Sequence, residues 1–530
     1  MQLLFLGGTI LTMDPAGTVA TALVVRGDEI VWVGDAADAA PWRGPKTRIV
    51  DLAGATLLPG LHDTHVHLAM SGVELLEADL GAATTVDALL AEVARHATAH
   101  PEASWVTGGG WDLARFDGQL SAAQLDQIVP DRPACLYAAD GHSAWVNSRA
   151  LQLAGIGAGT VDPPGGVVAR DSQGVPTGIL REDALLPVED LLPMPTRAQA
   201  DAGLALALEL AASHGITTAL DPSVEAWSLQ AYRRAQRHGG LSLRLHGAVA
   251  IDPADGARAV REPRRLRRRY DKGEVHVDGA KLYLDGVLES GTATLLQPYV
   301  DGSSPQPPFT VAQLSAAVGA LDRAGFALHF HAIGDGAVRQ GLDALAALPG
   351  PALRPSFAHL ELIDPTDLPR FAALGALASF QALWAWPDPY VVDLTLPVVG
   401  PERGARLYPI GALVQAGGTY VGGSDWSVSS MSPFEAIEVA VTRRDPDGGI
   451  DALAEDQGVT LITALHAYTS AGALATGTGA RSGTIEVGKL ADLVLVDRDP
   501  RLIPAADLGD VKVQSTWLGG RQVWPVAPAD

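Results

Sequence analysis

The chain contains 530 residues, of which 47% are hydrophobic and 19% are charged. This composition supports a large folded core and excludes wholesale disorder. Acidic residues outnumber basic ones by 61 to 38, which gives a formal net charge of −23. A nucleic-acid-binding protein needs a net basic face to displace counterions, so that class of protein is excluded.

The single cysteine and the lack of long apolar runs exclude further classes of protein. The single cysteine, Cys135, excludes an internal disulfide and a thiolate zinc cluster, so a metal must be bound by His, carboxylate or a modified side chain. No apolar run reaches the roughly 18 residues of a membrane span. The opening segment MQLLFLGGTILTMD lacks a basic region and a cleavage site, and it predicts a strand rather than a signal peptide. We expect a soluble cytoplasmic protein.

Both ends of the chain have the same strand-like pattern. Short β-rich segments are predicted at 2–12, 22–26, 30–33, 482–487, 492–497 and 511–523. Gly519 and Gly520 form a turn within the last of these segments. Two β-rich ends around a different middle predict one composite β-sandwich domain, formed by residues 1–56 and 481–530.

The middle of the chain alternates strand-like and helix-like segments, which predicts a parallel sheet. The first strand is predicted at Thr56–Pro59, and seven more are predicted at 215–220, 242–249, 279–284, 327–331, 356–359, 377–380 and 419–422. Helices are predicted at 311–324 and 336–348. Eight such units close into a (β/α)₈ TIM-like barrel, here over 57–480. Residues 75–205 are too many for one loop and predict an inserted α+β subdomain. The basic run Arg261–Tyr270 predicts a solvated helical face.

A pair of histidines follows the first of these strands. His65 and His67 have one residue between them, and in an extended chain they point to the same side. Two imidazoles at the C-terminal end of a barrel strand are able to bind one divalent ion. A lone pair of this kind also arises by chance, and the pattern alone leaves both interpretations open.

Four later polar residues favour the metal site. His331, His359 and Asp425 each end a strand-like run, and in a barrel such ends meet at one rim. Lys281 lies inside the apolar run Val277–Leu284, where a lysine is costly unless it is neutralised or paired. We expect His62 and His329 not to be ligands, and packing or support of a ligand is expected for His329.

With these motifs in place, the sequence resembles the amidohydrolase superfamily, in particular the amidohydrolase-3 or YtcJ-like branch that includes N-substituted formamide deformylases. The resemblance covers nearly the whole chain. Besides the metal motifs, it depends on segments 109–112, 140–148, 174–180, 285–286, 331–335 and 482–493.

The resemblance implies a role for each site residue. His65 and His67 would bind one metal ion and His331 and His359 a second. Asp425 would contact the first ion and exchange protons, and Lys281 would be carboxylated by CO2 and bridge the two ions. Asp425, Lys281 and His331 are therefore the expected catalytic residues. An unmodified Lys281 would leave a single-metal site as the alternative.

The chemistry follows from the charge of the ion. A divalent ion, with Zn²⁺ expected, lowers the pKa of bound water towards about 7 and polarises a carbonyl. The predicted reaction is hydrolysis of an amide-type or formamide-type C–N bond by metal-activated hydroxide, with Asp425 as proton shuttle. An esterase or lactonase would use the same site. A catalytically silent metal-binding regulatory protein is the alternative of a different class, and the complete set of six site residues disfavours it.

Aromatic and polar residues near these motifs are the candidate substrate contacts. They are Trp111, His142, Trp145, Asp285, Trp384 and Trp426. The tryptophans predict either an aromatic-walled pocket for a hydrophobic or aromatic amide or packing of the insertion on the barrel. Glu182 is a further candidate contact, and Asp335 is a candidate to orient His331. We expect a homodimer, which is common for this kind of chain.

Overall fold

The computed structural model describes residues 2–116, 118–163, 165–307, 309–351, 353–449 and 451–525. Three sheets organise these residues: a composite sheet from both ends of the chain, a six-stranded sheet of the insertion, and an eight-stranded parallel sheet in the middle. The predicted fold class is confirmed. The expected homodimer stays a prediction.

The composite sheet joins strands from both ends of the chain. Its strands are Gln2–Leu11, Val19–Arg26, Glu29–Gly34, Thr47–Asp51, Thr56–Pro59, Leu493–Val496, Val513–Leu518 and Arg521–Trp524. Phe5 and Trp517 pack edge to face at 5.3 Å between ring centroids. Their strands are three positions apart, which would be about 14 Å in a flat sheet, so the sheet curls over its own core.

One predicted strand belongs to a different sheet. Thr56–Pro59 was expected to be the first barrel strand, but it pairs with Thr9 and Ile10 on one side and with Leu493–Val496 on the other. All four of its residues are buried, and an apolar run of this length fits either sheet equally well. The domain limits 1–56 with 481–530, 57–480 and 75–205 remain a proposal, and this pairing extends the first limit to Pro59.

The barrel has eight parallel strands, which we number β1 to β8. They are β1 Leu61–Asp63, β2 Ile216–Asp221, β3 Arg244–Ile251, β4 Val275–Tyr283, β5 Ala327–Ala332, β6 Ser356–His359, β7 Leu377–Phe380 and β8 Thr419–Gly422. The seven strands predicted after the first are confirmed. Near the ends of β1 and β8, the Thr64 amide donates to the Gly422 carbonyl at 3.0 Å, which brings the two edges of the sheet together.

Helices cover the outside of the barrel. The longer ones are Arg197–Ser213, Ala226–Arg237, Arg261–Tyr270, Val311–Arg323, Asp335–Ala346 and Pro433–Thr442. Shorter ones are Leu68–Glu74, Leu368–Leu374, Ile410–Gln415, Leu461–Ala467 and Gly472–Ala475. Val311–Arg323 begins at a capping box in which Thr310 and Gln313 satisfy each other's backbone amides.

The basic helix Arg261–Tyr270 is only partly solvated. Arg264, Arg265 and Arg268 are exposed, as predicted for a solvated face. Arg267 instead lies 3.4 Å above the Phe326 ring and donates to the carbonyl oxygen of Val277. One arginine of the run therefore holds the helix against the barrel.

The insertion contains a mixed sheet with its own core. The strands are Ala78–Asp79, Val106–Trp111, Ala134–Ala138, Ser143–Val146, Gly166–Arg170 and Pro176–Glu182. The helices are Val86–Ala99, Leu113–Phe116, Ala122–Ile128, Ser148–Leu153 and Leu186–Glu189. Glu182, at the end of its last strand, accepts hydrogen bonds from Ser290 and Thr292 of the loop after β4. These contacts attach the insertion to the C-terminal rim of the barrel.

None of the helices in the described ranges combines the length and the apolar character that crossing a bilayer requires.

A buried ion pair joins the composite sheet to the barrel. Arg244 of β3 donates to both carboxylate oxygens of Asp492, at 2.8 and 3.0 Å. The Asp492 side chain is only 3% exposed, and it also accepts from the Gly519 amide. Removing the guanidinium would leave a buried carboxylate without its cation.

We therefore predict that Arg244→Met lowers the free energy of unfolding by about 3–5 kcal/mol, because one member of a buried ion pair is lost. The matched control is Arg265→Met, which breaks a solvent-exposed pair with Glu262 and should leave the free energy of unfolding nearly unchanged. Urea unfolding followed by tryptophan fluorescence measures both. Equal losses in the two variants would contradict the prediction.

Candidate metal centre

The first half of the centre follows β1. His65 and His67 lie in the loop after this strand, with ring centroids 5.4 Å apart. Their Nε2 atoms are 3.4 and 3.3 Å from Oδ1 of Asp425, which follows β8. One ligand atom from each of these three residues lies within 4.8 Å of the others, a spacing that allows one metal ion to bind all three.

The second half comes from the next strands of the sheet. His331 of β5 and His359 of β6 have ring centroids 4.4 Å apart, and His359 Nδ1 lies 3.7 Å from Asp425 Oδ2. Lys281 of β4 is 1% exposed, and its Nζ lies 3.4 Å from His65 Nε2. All six residues line one cavity, so the structure brings the predicted ligands together.

Burial fixes the protonation of these groups. Desolvation holds the pKa values of His65, His331 and His359 well below the ordinary range, and neighbouring basic groups, Lys281 among them, lower these pKa values further. These imidazoles are therefore neutral and have a free lone pair near neutral pH. Burial also lowers the pKa of Lys281 to about 7, so a large fraction of its amine is uncharged.

Several buried polar atoms of this cluster have no hydrogen-bond partner among the described residues. They are His67 Nδ1, His359 Nδ1 and Asp425 Oδ1. Buried polar groups are normally satisfied, and an atom without a partner at such a site indicates a missing ligand. Neutral imidazole and carboxylate are donors that Zn²⁺ and similar ions bind, so these residues fit a divalent cation.

Asp63 holds the two ends of the ligand set together, and the sequence analysis missed it. Its carboxylate accepts from the backbone amides of His65 and Ser424 at 3.1 Å each, and from the Ser424 hydroxyl at 2.6 Å. The side chain thus joins the loop of His65 to the loop of Asp425. Its place between His62 and His65, at the end of a strand, was the available signal.

The backbone around the ligands is closely constrained. His359 and Asp425 have φ values of 76° and 53°, in the left-handed region that residues other than glycine rarely adopt. A Cβ on Gly423 would lie 2.8 Å from the Cβ of His65, so only glycine fits beside that ligand. Gln381 accepts from the His359 amide at 3.0 Å and fixes the end of β6.

His329 supports a ligand, one of the two roles expected for it. Its Nε2 lies 2.8 Å from His65 Nδ1, and its Nδ1 lies 2.7 Å from the Ser356 hydroxyl. This chain orients the His65 ring and leaves its Nε2 directed at Asp425.

Asp285 and Asp335 occupy different places from those expected. Asp285, predicted to contact substrate, is fully enclosed; it accepts from three backbone amides, those of Thr294, Ile333 and Gly334. It lies 3.8 Å from His331 Nε2 and is absent from the cavity wall. Asp335 accepts from the Leu296 amide. Asp285, rather than Asp335, therefore lies beside the ligand His331.

A cavity of about 780 Å³ opens beside the ligands. Trp384 lies in its wall. The rings of Trp384 and His359 are parallel, with 5.6 Å between their centroids and 2° between their planes. His142 also lines the cavity, and its Nδ1 lies 3.0 Å from Glu182. Although burial opposes it, this carboxylate raises the pKa of His142 to about 9, so His142 carries a positive charge.

Besides Asp285, three tryptophans that were predicted to contact substrate do not line the cavity. Trp111 and Trp145 lie in the hydrophobic core of the insertion, and their indole N–H groups donate to the carbonyl oxygens of Leu136 and Ser121. Trp426 packs in a core beside β2 and β3. For these residues the packing alternative holds, because each ring is buried away from the cavity.

Several residues of the cavity wall were not predicted from the sequence. They are Tyr283, Glu289, Glu361, Trp386, Asp388, Tyr390 and Tyr408. None forms a motif with the histidines in sequence.

An eight-stranded parallel barrel with this ligand set at its C-terminal rim defines a metal-dependent hydrolase. Residues 48–524 match the profile of the amidohydrolase family, and the chain belongs to that family. The resemblance found in the sequence is thereby confirmed.

Three relatives extend over most of the chain. The exoenzymes regulatory protein AepA of Pectobacterium carotovorum is 30% identical over 77% of this chain and 90% of its own. The Bacillus subtilis protein YtcJ is 28% identical over 99% of both chains. The N-substituted formamide deformylase of Arthrobacter pascens is 28% identical over 98% of this chain and 97% of its own.

A solved structure has the same fold. An uncharacterised metal-dependent hydrolase of Pyrococcus furiosus superposes with a TM-score of 0.74 at 25% identity, covering 94% of this chain and 100% of its own.

We predict that His329→Gln weakens Zn²⁺ binding about 10–100-fold, because the hydrogen bond that orients His65 is altered. The matched control is His276→Gln, in the first half of β4, ahead of Lys281 in the strand. Equilibrium dialysis with metal analysis measures the affinity of each variant. Unchanged zinc affinity in His329→Gln would show that this contact does not support the centre.

Proposed function

We propose that this metal-dependent hydrolase cleaves a carbon–nitrogen bond of the amide or formamide type, with Asp425 as the group that moves the proton. The observation that carries the proposal is the position of the Asp425 carboxylate. It lies 3.4 Å from His65, 3.3 Å from His67 and 3.7 Å from His359, and so adjoins both halves of the centre. The likeness to the Arthrobacter pascens deformylase supports a formamide-type substrate.

The ligand set divides between two cations. His65, His67 and Asp425 would hold one ion, and His331 and His359 would hold the other. A divalent cation such as Zn²⁺, when bound, supplies Lewis acidity that brings the pKa of water towards about 7 and polarises a carbonyl.

Asp425 then performs the proton transfers. Its carboxylate accepts one proton from the attacking water as the new C–O bond forms. It returns that proton to the nitrogen as the C–N bond breaks, so the products are a carboxylic or formic acid and an amine. The wall formed by Trp384 and the enclosed rim around the ligands limit access of other water molecules.

Lys281 is proposed to be carboxylated. Its Nζ is buried beside His65, and no carboxylate of the described residues forms an ion pair with it, which disfavours the ammonium form. The neutral amine would add to CO2, forming an N–C bond and releasing one proton to solvent. The resulting carbamate offers two oxygens between the two halves of the centre. Without this modification, a single cation at His65, His67 and Asp425 is the alternative.

Two other functions use the same residues. Hydrolysis of an ester or a lactone needs the same centre and differs only in the leaving atom. A catalytically silent regulatory role is favoured by the likeness to AepA, which is named as a regulatory protein. The complete ligand set around one cavity disfavours the silent role, because a site without a reaction has no need of a buried proton-transfer carboxylate.

We predict that Asp425→Asn retains most bound Zn²⁺ and lowers kcat about 10²–10⁴-fold, because an amide oxygen remains a ligand but the amide cannot accept the proton. Release of amine from N-formyl and N-acyl benzylamines measures turnover, and metal analysis is done on the same samples. Asp190→Asn, at an exposed position, is the control and should be unaffected. Near-normal turnover of Asp425→Asn would reject the role of this residue.

The same assay separates the alternatives. Matched esters and lactones that are hydrolysed much faster than the amides would contradict the C–N assignment. A fully metal-loaded, folded protein without turnover on any of these compounds would favour the regulatory role.

We further predict a carbamate carbon signal in the ¹³C NMR spectrum of Zn²⁺-loaded protein equilibrated with ¹³C-bicarbonate. The signal should be lost in Lys281→Arg, because the guanidinium does not react with CO2. Lys489→Arg is the control, since Lys489 donates to the Gly479 carbonyl outside the cavity. An identical spectrum for the parent and Lys281→Arg would contradict carboxylation of Lys281.

A further inference from the structure

The cavity beside the metal centre carries an acidic wall, formed by Glu289, Glu361 and Asp388. Each of these residues lies in a loop that follows a barrel strand: Glu289 after β4, Glu361 after β6 and Asp388 after β7. Because the C-terminal ends of parallel strands meet at one rim, the three carboxylates share the cavity with the metal ligands.

The charge of this acidic wall is not balanced by the protein. None of the three carboxylates forms an ion pair with any of the described residues. The basic side chains that line the cavity are few: His142 is paired with Glu182 at 3.0 Å, and Lys512 is exposed. Lys281, the remaining one, belongs to the metal centre. A cation from outside the protein is therefore the missing counter-charge.

Burial makes this imbalance costly. It raises the pKa of Glu289 to about 7 and that of Asp388 to about 6, and neighbouring carboxylates add to both increases. The carboxylates are thus held away from bulk water without a compensating positive charge.

Aromatic side chains surround the same space. Trp384, Trp386, Tyr390 and Tyr408 all line the cavity together with the acidic wall. Aromatic faces attract organic cations through their quadrupole, and they bind quaternary and protonated amines more strongly than neutral groups of the same shape.

The metal centre marks the same cavity as a ligand site. His359 and Asp425 are 3% and 6% exposed, line the cavity, and each have a polar atom without a partner among the described residues. The cavity thus has a metal end for the scissile group and an acidic, aromatic wall for another part of the same molecule.

We propose that the substrate is an amide that carries a cationic nitrogen group, and that this group binds against Glu289, Glu361 and Asp388. The proposal rests on the proposed C–N hydrolase function and specifies its substrate class. It narrows the expected hydrophobic or aromatic amide to one that carries a cation, because the aromatic side chains share the cavity with three carboxyl groups that have no ion-pair partner among the described residues.

Binding tests the proposal independently of turnover. The probes are two compounds of matched shape, benzyltrimethylammonium and neopentylbenzene, titrated into the Zn²⁺-loaded protein at pH 8 by calorimetry. We expect the cation to bind at least 10-fold more tightly. Glu289→Gln should remove most of this preference with little change for the neutral compound, and the exposed Glu209→Gln is the matched control.

Each other outcome would overturn the proposal. Equal affinity for the two compounds, or a preference that survives in both Glu289→Gln and Asp388→Asn, would show that the wall does not select cations. An additional equivalent of Zn²⁺ that Glu289→Gln removes would show that the wall holds a metal ion instead.

A turnover assay separates this failure from failure of the C–N hydrolase function. The substrates are N-formyl benzylamines with a para trimethylammonium or a para tert-butyl group. Equal hydrolysis of both would leave the C–N hydrolase function intact and reject the cationic substrate class. A selective binder that hydrolyses neither would retain the cation site and reject the hydrolase function.

Discussion

The hydrogen bonds of the Asp63 carboxylate are the contacts on which the rest of the site depends. They join the loop after the first barrel strand to Ser424, 361 positions further along the chain. Together with the Asp425 amide, which donates to the His65 carbonyl at 2.8 Å, they fix His65 and His67 on one edge of the sheet relative to Asp425 on the other. The Thr64 amide, which bonds to the Gly422 carbonyl beside them, closes the sheet at the same place. The contacts that close the barrel therefore also position the ligand set.

The same buried rim explains the chemistry of the ligands. Exclusion of water keeps the imidazoles neutral and disfavours the ammonium form of Lys281, which prepares these nitrogens to bind a cation or CO2. It also raises the energy of any carboxylate left without a positive partner, as in the acidic wall. One property of the cavity, its low access to water, thus has two effects. It favours uncharged nitrogens at the metal end, and it destabilises unpaired carboxylates in the acidic wall.

The sequence predicted the elements that carry a periodic signal. Strands that end in His331, His359 and Asp425 were recognisable because apolar runs of strand length lead directly to a polar residue. The parallel barrel then required these residues to meet at one rim, although they are far apart in the chain. The position of Lys281 inside an apolar run was informative for the same reason, since burial of a lysine needs an explanation.

Other features could not be predicted because they depend on tertiary contacts. Thr56–Pro59 is apolar and fully buried, and nothing in its residues distinguishes the composite sheet from the barrel. Trp111 and Trp145 lie near motifs, but their N–H groups find backbone acceptors inside the insertion. Glu289, Glu361 and Asp388 lie in loops without periodicity, and only the folded rim brings them together.

The central claim is that six side chains bind cations at the mouth of the barrel. Diffraction from crystals of the zinc-loaded protein, recorded on both sides of the zinc absorption edge, tests it most directly. We expect anomalous peaks at ions bound by His65, His67 and Asp425 and by His331 and His359, with extra density on the Lys281 nitrogen between them. Crystals grown with zinc that show no anomalous peak among these residues would contradict it.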